Sequence, residues 1–160
     1  QGEQLAVYRK LHLFAPMQED KWLAAGEMPA LLDAPWGLTG LAICYDLRFG
    51  ELFRHYAMAG AKLALLPALW PTARSEHWNI LLRARAIENQ MFVAAVNVTG
   101  TIGTETFGGC STVIDPWGKS LLKADARPAL LTAELDMEAV ATAREMMPVL
   151  TDFRPRAYPL

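Results

Sequence analysis

Short apolar runs alternate with helix-patterned segments along this sequence, and the alternation restricts the chain to few architectures. Apolar runs of strand length predict buried strands, whereas large apolar side chains repeating every three or four residues predict helices. We predict strands over residues 6–14, 38–44, 62–68, 91–98, 111–114, 119–123 and 130–136. We predict helices over residues 49–59, 75–90 and 138–146, an irregular loop over residues 17–35, and a tail with little helical pattern over residues 148–160. Such an order favours an α/β fold with a mixed sheet covered by helices.

The composition indicates one domain, residues 1–160, and excludes several classes of protein. Hydrophobic residues make up 52% of the chain and its formal net charge is −2, which excludes intrinsic disorder and a basic nucleic-acid-binding protein. No apolar stretch reaches the roughly 18 residues of a membrane span, and we see no signal peptide. We therefore expect a cytoplasmic protein without a membrane partner. Gln1 rather than Met opens the sequence, so we expect a fragment or a processed chain.

Cys44 ends one predicted strand, and a helix is predicted to begin shortly after it. Ligands bind at the carboxyl ends of strands in α/β sheets. The amides of a nearby helix start also favour the thiolate by lowering the pKa of a cysteine. Cys44 is therefore a candidate nucleophile, although a lone cysteine is more often a buried packing residue. Cys110 has no helix start or lysine beside it in the sequence, and we interpret it as packing.

Lys10 lies in the middle of the first predicted strand, on the same face as Tyr8 and His12. A lysine brought beside Cys44 would lower the pKa of the thiol and could stabilise an oxyanion. The simpler alternative is a solvated lysine that keeps an edge strand from pairing with another chain. Composition and periodicity do not decide between these two interpretations.

Three blocks of this sequence closely resemble the nitrilase (carbon–nitrogen hydrolase) superfamily, in the family's order and with similar spacing. They are YRKLHLF at residues 8–14, CYDLRF at residues 44–49 and RARAIENQ at residues 83–90. An Asp-Pro-Trp-Gly segment at residues 115–118 has the chemistry of a type I turn and also fits the family. The resemblance implies an α-β-β-α sandwich, of which this chain supplies the C-terminal part and lacks the N-terminal part.

The resemblance also implies a Glu–Lys–Cys catalytic set. By motif match, Cys44 is the nucleophile, Lys10 is the catalytic lysine, and Glu19 corresponds to an auxiliary glutamate. The family's general-base glutamate lies well upstream of the lysine motif, and Glu3 is too close to Lys10 to fill that position. Gly50 stands where the family commonly has proline, a departure that we expect to affect only the start of the helix.

Residues 69–78, LWPTARSEHW, look most like the omega-amidase branch of the superfamily. Those enzymes hydrolyse the terminal amide of 2-oxo acids such as 2-oxoglutaramate and 2-oxosuccinamate. Arg74 is then a candidate for binding a substrate carboxylate through a bidentate contact. Tyr45 and Trp70 are candidate substrate-binding residues beside it. A surface arginine near a helix start and a core tryptophan are the simpler alternatives.

The chemistry that the resemblance implies is nucleophilic catalysis. The thiolate of Cys44 attacks an amide carbon, ammonia leaves, and water hydrolyses the resulting thioester. We expect no cofactor, and no metal because the three histidines lack metal-ligand spacing. The partners implied are a small amide that carries a carboxylate and a second copy of the chain, in a homodimer or higher oligomer. The alternatives are an N-carbamoyl or aliphatic amide hydrolase, and a non-catalytic paralogue or subunit.

Overall fold

The computed structural model describes residues 2–157, which form a mixed six-stranded sheet, a separate hairpin and a set of helices. The sheet contains, in spatial order, β1 (Ala30–Ala34), β2 (Gly37–Leu41), β3 (Leu63–Ala68), β4 (Phe92–Asn97), β7 (Thr112–Ile114) and β8 (Ser120–Lys123). The hairpin pairs β5 (Thr99–Ile102) with β6 (Glu105–Gly108). The α-helices are α1 (Gly50–Met58), α2 (Ser75–Asn89), α3 (Glu138–Met146) and α4 (Val149–Asp152).

The three central strands of the sheet run parallel, and helices connect them. β2 pairs with β3 and β3 with β4 in parallel register, whereas β1, β7 and β8 are antiparallel to their neighbours. The chain passes from β2 to β3 through α1, and from β3 to β4 through α2. Because the parallel strands share a direction, the segments that follow β2 and β3 leave the sheet at the same edge.

The core lies between the sheet and the helices α1 and α2. Side chains alternate across β3, so that Ala64 and Leu66 belong to this main core while Leu63 packs in a smaller cluster with Val140 of α3 on the opposite face. Further along that second face the sheet is uncovered among residues 2–157, with Val96 65% exposed.

Gly40 in β2 allows the strand to lie directly on the ring of Tyr56 from α1. A Cβ built at position 40 would collide with that ring. The Tyr56 hydroxyl donates a 2.5 Å hydrogen bond to the carbonyl oxygen of Leu41, and burial raises the pKa of Tyr56 to about 12. This contact fixes the last residue of β2, three positions before Cys44.

The α/β class with a mixed sheet is confirmed, and so are the strands and helices of its central part. β2, β3, β4, β7 and β8 fall within or close to the predicted strands, and α1, α2 and α3 fall on the predicted helices. The turn between β7 and β8 closes through a 2.9 Å hydrogen bond from the Gly118 amide to the Asp115 carbonyl, as the turn chemistry predicts.

Four predictions of secondary structure are wrong. Residues 6–14 form no strand, because their polar groups bind side chains rather than a neighbouring strand. Residues 130–136 form none either, and Leu130 is 94% exposed. The region predicted as an irregular loop contains β1, and the tail begins with the short helix α4. The end of that tail, residues 158–160, lies outside the described residues. Across residues 2–157, we find no helix with the length and apolar character needed to cross a membrane.

Candidate active site

Cys44 occupies a left-handed turn immediately after the extended end of β2. Its φ is 48°, a backbone conformation that costs a non-glycine residue on the order of 1–2 kcal/mol. A short 3₁₀ helix, Cys44–Arg48, starts at the same residue. The thiol lies 3.6 Å from the carbonyl oxygen of Leu69, which follows β3. The cysteine is therefore held where two parallel strands end.

The Cys44 thiol is less acidic than the thiol of an ordinary cysteine. Burial raises its pKa, and this effect outweighs the lowering contributions of the hydrogen bond to Leu69 and the positive charge of Lys10. We predicted the opposite, because the sequence places a helix start and a candidate lysine near Cys44 but does not reveal how deeply the thiol is buried. At neutral pH the group is therefore mainly a thiol, and it must lose its proton to act as a nucleophile.

Lys10 and Glu19 form an ion pair inside the protein. The Lys10 Nζ lies 2.5 Å from the Glu19 Oε2, and only 8% of the Lys10 side chain and 24% of the Glu19 side chain are exposed. The same carboxylate oxygen accepts a 2.8 Å hydrogen bond from the amide of Phe14. A buried ammonium needs such a partner, since an unpaired charge would be costly there. Lys10 is therefore not the solvated surface lysine of the simpler interpretation.

Lys10, Glu19 and Cys44 line one open cavity of about 500 Å³, which we call the catalytic cavity. Its other walls include Leu13, Leu23, Ile43 and Pro67. The structure thus brings Cys44 to the same cavity as Lys10 and Glu19, which lie 34 and 25 positions before it in the sequence. A thiol, an ammonium and a carboxylate at one cavity form a combination that can support acyl transfer with stabilisation of an oxyanion.

Asp46, two residues after Cys44, is fully buried and accepts four hydrogen bonds. Its Oδ2 accepts from the Tyr8 hydroxyl at 2.7 Å and from the Ile43 amide at 2.9 Å. Its Oδ1 lies 3.0 Å from the His12 amide nitrogen and 2.8 Å from the His12 Nδ1. Burial and the adjacent carboxylate raise the pKa of Tyr8, so the phenol remains a hydrogen-bond donor.

The three candidate substrate-binding residues line a second, narrow space that Cys44 also borders. Tyr45, Trp70 and Arg74 lie there with Phe14 and Arg48, and we call it the aromatic cleft. It leaves room for only about 10 Å³, which is roughly the space of one water molecule. In this arrangement the cleft is closed to a substrate, although its side chains lie next to the thiol.

The two arginines of the aromatic cleft differ in their contacts. The guanidinium of Arg48 stacks 4.8 Å from the ring centre of Trp70 and lies 3.4 Å from the Nδ1 of His77. The guanidinium of Arg74 stacks 5.5 Å from the ring centre of Phe14. Within residues 2–157 it makes no hydrogen bond and no ion pair. Arg74 therefore has unused donors for an anion, whereas Arg48 is already engaged.

Trp70 serves the protein core as well as the cleft. It is buried, its ring centre lies 5.5 Å from that of Trp78, and its indole N–H donates a 2.7 Å hydrogen bond to the Arg74 carbonyl. This contact links the wall of the cleft to the backbone that carries Arg74. The core interpretation of Trp70 is therefore correct, and only part of the side chain remains available to the cleft.

Sequence reasoning missed Asp46 and Arg48 as components of the site, although both lie in the segment CYDLRF. Local sequence does not reveal that this carboxylate is buried, because two of its three donor residues, His12 and Tyr8, lie 34 and 38 positions away in the sequence. The closeness of Arg48 to Cys44 in the sequence was the one available signal. Across the described ranges, no group of three or more His, Cys, Asp or Glu side chains is placed to hold a metal ion.

Comparison with known proteins identifies the family. The sequence model described as Carbon-nitrogen hydrolase matches residues 1–145. The chain is similar to the 2-oxoglutaramate amidase of Bacillus subtilis (strain 168), with 40% identity over 158 residues that cover 99% of this chain and 61% of that protein. It is also similar to an omega-amidase of Homo sapiens, with 36% identity over 166 residues that cover 98% of this chain and 60% of that protein.

A solved structure shares the fold. A mutant of the amidase from Nesterenkonia sp. AN1 matches with a TM-score of 0.83 and 32% identity, covering 96% of this chain and 55% of that one. In that structure the acetamide moiety of fluoroacetamide is covalently added at the active-site cysteine. This chain spans about 60% of the length of the two relatives named above. The resemblance drawn from the three sequence blocks is confirmed, and the chain belongs to the carbon–nitrogen hydrolase family, the nitrilase superfamily, with omega-amidases among its relatives.

Proposed function

We propose that this chain carries the nucleophile and the oxyanion-stabilising lysine of an amidase that releases ammonia from 2-oxo acid amides. The observation that carries the proposal is the catalytic cavity, where the thiol of Cys44 meets the buried ion pair of Lys10 and Glu19. The similarity to a 2-oxoglutaramate amidase supports the choice of substrate. The covalent adduct at the cysteine of the Nesterenkonia amidase supports a cysteine nucleophile.

In the proposed first step, the sulfur of Cys44 forms a bond to the amide carbon while the thiol gives its proton to a carboxylate base. The resulting oxyanion is stabilised by the ammonium of Lys10. The carbon–nitrogen bond then breaks, and the nitrogen takes a proton and leaves as ammonia. The product of this step is a thioester between the acyl group and Cys44.

In the second step, water loses a proton to the base and adds to the thioester, and Cys44 leaves as a thiol after taking a proton back. We propose that the base is a glutamate supplied from outside residues 1–160, as the family likeness implies. Glu19 has a different task, because it is paired with Lys10. It holds the ammonium at the cavity and offsets the cost of burying the charge.

The substrate class rests on Arg74. Its guanidinium has no hydrogen-bonding partner within the described part of the chain and lies in the aromatic cleft next to Cys44. We propose that it turns away from the ring of Phe14 to bind the carboxylate of the substrate. This movement would open the cleft, and the loss of the stacking contact is offset by a charge-assisted, bidentate pair.

The test uses the full chain that contains residues 1–160, with 2-oxoglutaramate as substrate and ammonia as the measured product. The Cys44→Ala variant should lose all steady-state turnover, whereas the Cys110→Ala variant should retain it. Trapping with hydroxylamine should yield a hydroxamate from the parent protein and none from Cys44→Ala. Full turnover by Cys44→Ala would refute the proposed nucleophile. Preferred hydrolysis of an N-carbamoyl compound or a neutral aliphatic amide would replace the proposed substrate class.

We also propose that the chain assembles as a homodimer or a higher oligomer. Several large apolar side chains near the end of α3 are exposed, including Met146 and Met147, and contiguous exposed apolar surface often marks an interface. Sedimentation equilibrium of the full chain at micromolar concentration should show at least a dimer, and a stable monomer would contradict this expectation.

A further inference from the structure

We propose that Asp46 is a positioning residue, which sets the distance between Lys10 and Cys44 by binding the backbone segments that carry both. This inference rests on the proposed function, because it assigns Asp46 a task in the proposed reaction. Asp46 lines neither the catalytic cavity nor the aromatic cleft. Its effect on the chemistry must therefore pass through the residues that it binds.

The segment that carries Lys10 depends on Asp46 for its position. It forms no strand, so no ladder of backbone hydrogen bonds fixes it to the sheet. Tyr8 and His12 lie two residues before and two residues after Lys10, and both donate to the carboxylate of Asp46. Lys10 therefore lies between two residues that are both attached to the same buried carboxylate.

The cysteine turn depends on the same carboxylate. The Oδ2 of Asp46 binds the amide of Ile43, which immediately precedes Cys44. This bond closes a tight loop around Cys44, whose left-handed backbone needs support from its surroundings. One side chain therefore fixes the strained turn of the nucleophile and the segment that carries the lysine at the same time.

The carboxylate form of Asp46 is required by the number of its donors. Each oxygen receives two contacts, Oδ1 from the amide and the ring of His12, and Oδ2 from the Tyr8 hydroxyl and the Ile43 amide. An asparagine in either orientation would present its NH₂ group to one backbone amide that can only donate, that of His12 or that of Ile43. Asp46→Asn keeps the size of the side chain but breaks the attachment on one side. Asparagine should therefore not rescue the role of the aspartate.

The pH dependence of Cys44 alkylation distinguishes a positioning role from a direct electrostatic one. The charge of Lys10 lowers the pKa of the Cys44 thiol, so a displaced ammonium would raise that pKa further. Removing the negative charge of Asp46 would by itself act in the opposite direction and lower the pKa of the thiol. The sign of the shift in Asp46→Asn therefore tells which effect dominates.

The experiment measures the rate of iodoacetamide alkylation at Cys44 against pH, in the full chain that contains residues 1–160, with peptide mapping. We expect the midpoint to move to higher pH in Asp46→Asn and, by less, in Tyr8→Phe, which removes only one donor and serves if the first variant unfolds. Lys10→Gln should raise the midpoint as well. Asp46→Asn added to Lys10→Gln should cause no further rise, because the group that transmits the effect is absent.

Activity provides the second measurement. A misplacement of about 1 Å costs on the order of 100-fold in rate, so Asp46→Asn should lower kcat about 100-fold and change KM much less. Asp33→Asn, the same substitution at an exposed residue of β1, is the matched control and should change neither the rate nor the alkylation profile. An unchanged or lowered midpoint in folded Asp46→Asn and Tyr8→Phe would overturn the inference. Absence of amide hydrolysis in the parent would refute the proposed function but leave the alkylation test intact.

Discussion

Replacing Arg74 with alanine tests the substrate class most directly. The guanidinium borders the cleft beside Cys44 and, within residues 2–157, contacts the ring of Phe14 but makes no hydrogen bond or ion pair. Its removal therefore leaves no buried partner unpaired in the free protein. The loss should appear only when the substrate carries a negative charge, and it should not appear in the free energy of unfolding.

The magnitude follows from the contacts that are lost. Removing one partner of a hydrogen-bonded charge pair costs about 2–5 kcal/mol. Arg74 is only partly buried, and water screens the pair, so the lower part of this range applies. A loss of about 2–3 kcal/mol corresponds to about 30- to 150-fold in kcat/KM. Arg74→Lys should lie between the parent and the alanine variant, since it retains the charge but loses the bidentate geometry.

The assay compares kcat/KM for 2-oxoglutaramate with that for valeramide, a neutral amide of the same chain length. Arg74→Ala should lower the first value and leave the second within about twofold. Arg83→Ala removes an exposed arginine from α2, outside the catalytic cavity and the aromatic cleft, and should affect neither substrate. An equal loss of kcat/KM for the charged and the neutral amide would show that Arg74 supports the structure of the site and does not bind the carboxylate.

Three further predictions follow from burial and packing. Iodoacetamide should label Cys44 before Cys110, because Cys44 lines a cavity of about 500 Å³ and Cys110 a space of only about 10 Å³. The rate at Cys44 should rise with pH, because burial raises the pKa of this thiol. Faster labelling of Cys110 on peptide mapping would contradict this. Gly40→Ala should lower the free energy of unfolding in urea by about 1–3 kcal/mol, since its Cβ meets the ring of Tyr56. Adding Tyr56→Leu to Gly40→Ala should recover part of this loss, and no recovery would show that the contact is unimportant. Residues 1–160 expressed alone should aggregate or self-associate, because apolar side chains such as Val96 remain uncovered. They should also show no sustained turnover, because the proposed base lies outside them. A preparation that is monodisperse on light scattering and active would refute this.

The sheet and its helices were predictable because their signals are local. β3 and β4 are apolar runs, and α1 carries an apolar stripe at helical spacing. β1 lay in a region broken by Gly26, Pro29 and Pro35, and such residues indicate a loop whatever follows them. The strand forms nonetheless, because it pairs with β2 along its full length. Its own sequence does not indicate that this pairing takes place.

At residues 6–14 a strand is predicted and none forms, because the hydrogen bonds of this segment do not go to a neighbouring strand. Their alternation of side chains is typical of a strand, and the backbone there is not helical. The hydrogen bonds of this segment go elsewhere, to the carboxylates of Asp46 and Glu19 and to the amide of Gly26. Periodicity reports which side chains share a face, but it does not report which groups satisfy the backbone.

The candidate site also has features that the sequence predicts and features that depend on distant segments. The resemblance of three blocks selected Lys10, Glu19 and Cys44 as catalytic residues, and the structure places them at one cavity. Neither the resemblance nor the spacing gave the pKa of the thiol its correct direction, because burial depends on segments that are far apart in the sequence. The electrostatics of Cys44 were therefore the least predictable property of the site.

The attachment of the lysine segment explains why this site is at once precise and poorly marked in the sequence. A strand would fix Lys10 through many weak backbone bonds, and the loss of any one side chain would matter little. Here two carboxylates fix the segment, with buried Asp46 binding both flanks of Lys10 and Glu19 binding its ammonium. Bonds to charged acceptors are individually stronger than those between neutral groups. The geometry of the site consequently depends on single side chains, so conservative substitutions such as aspartate to asparagine should affect activity more than many losses of apolar contact in the core.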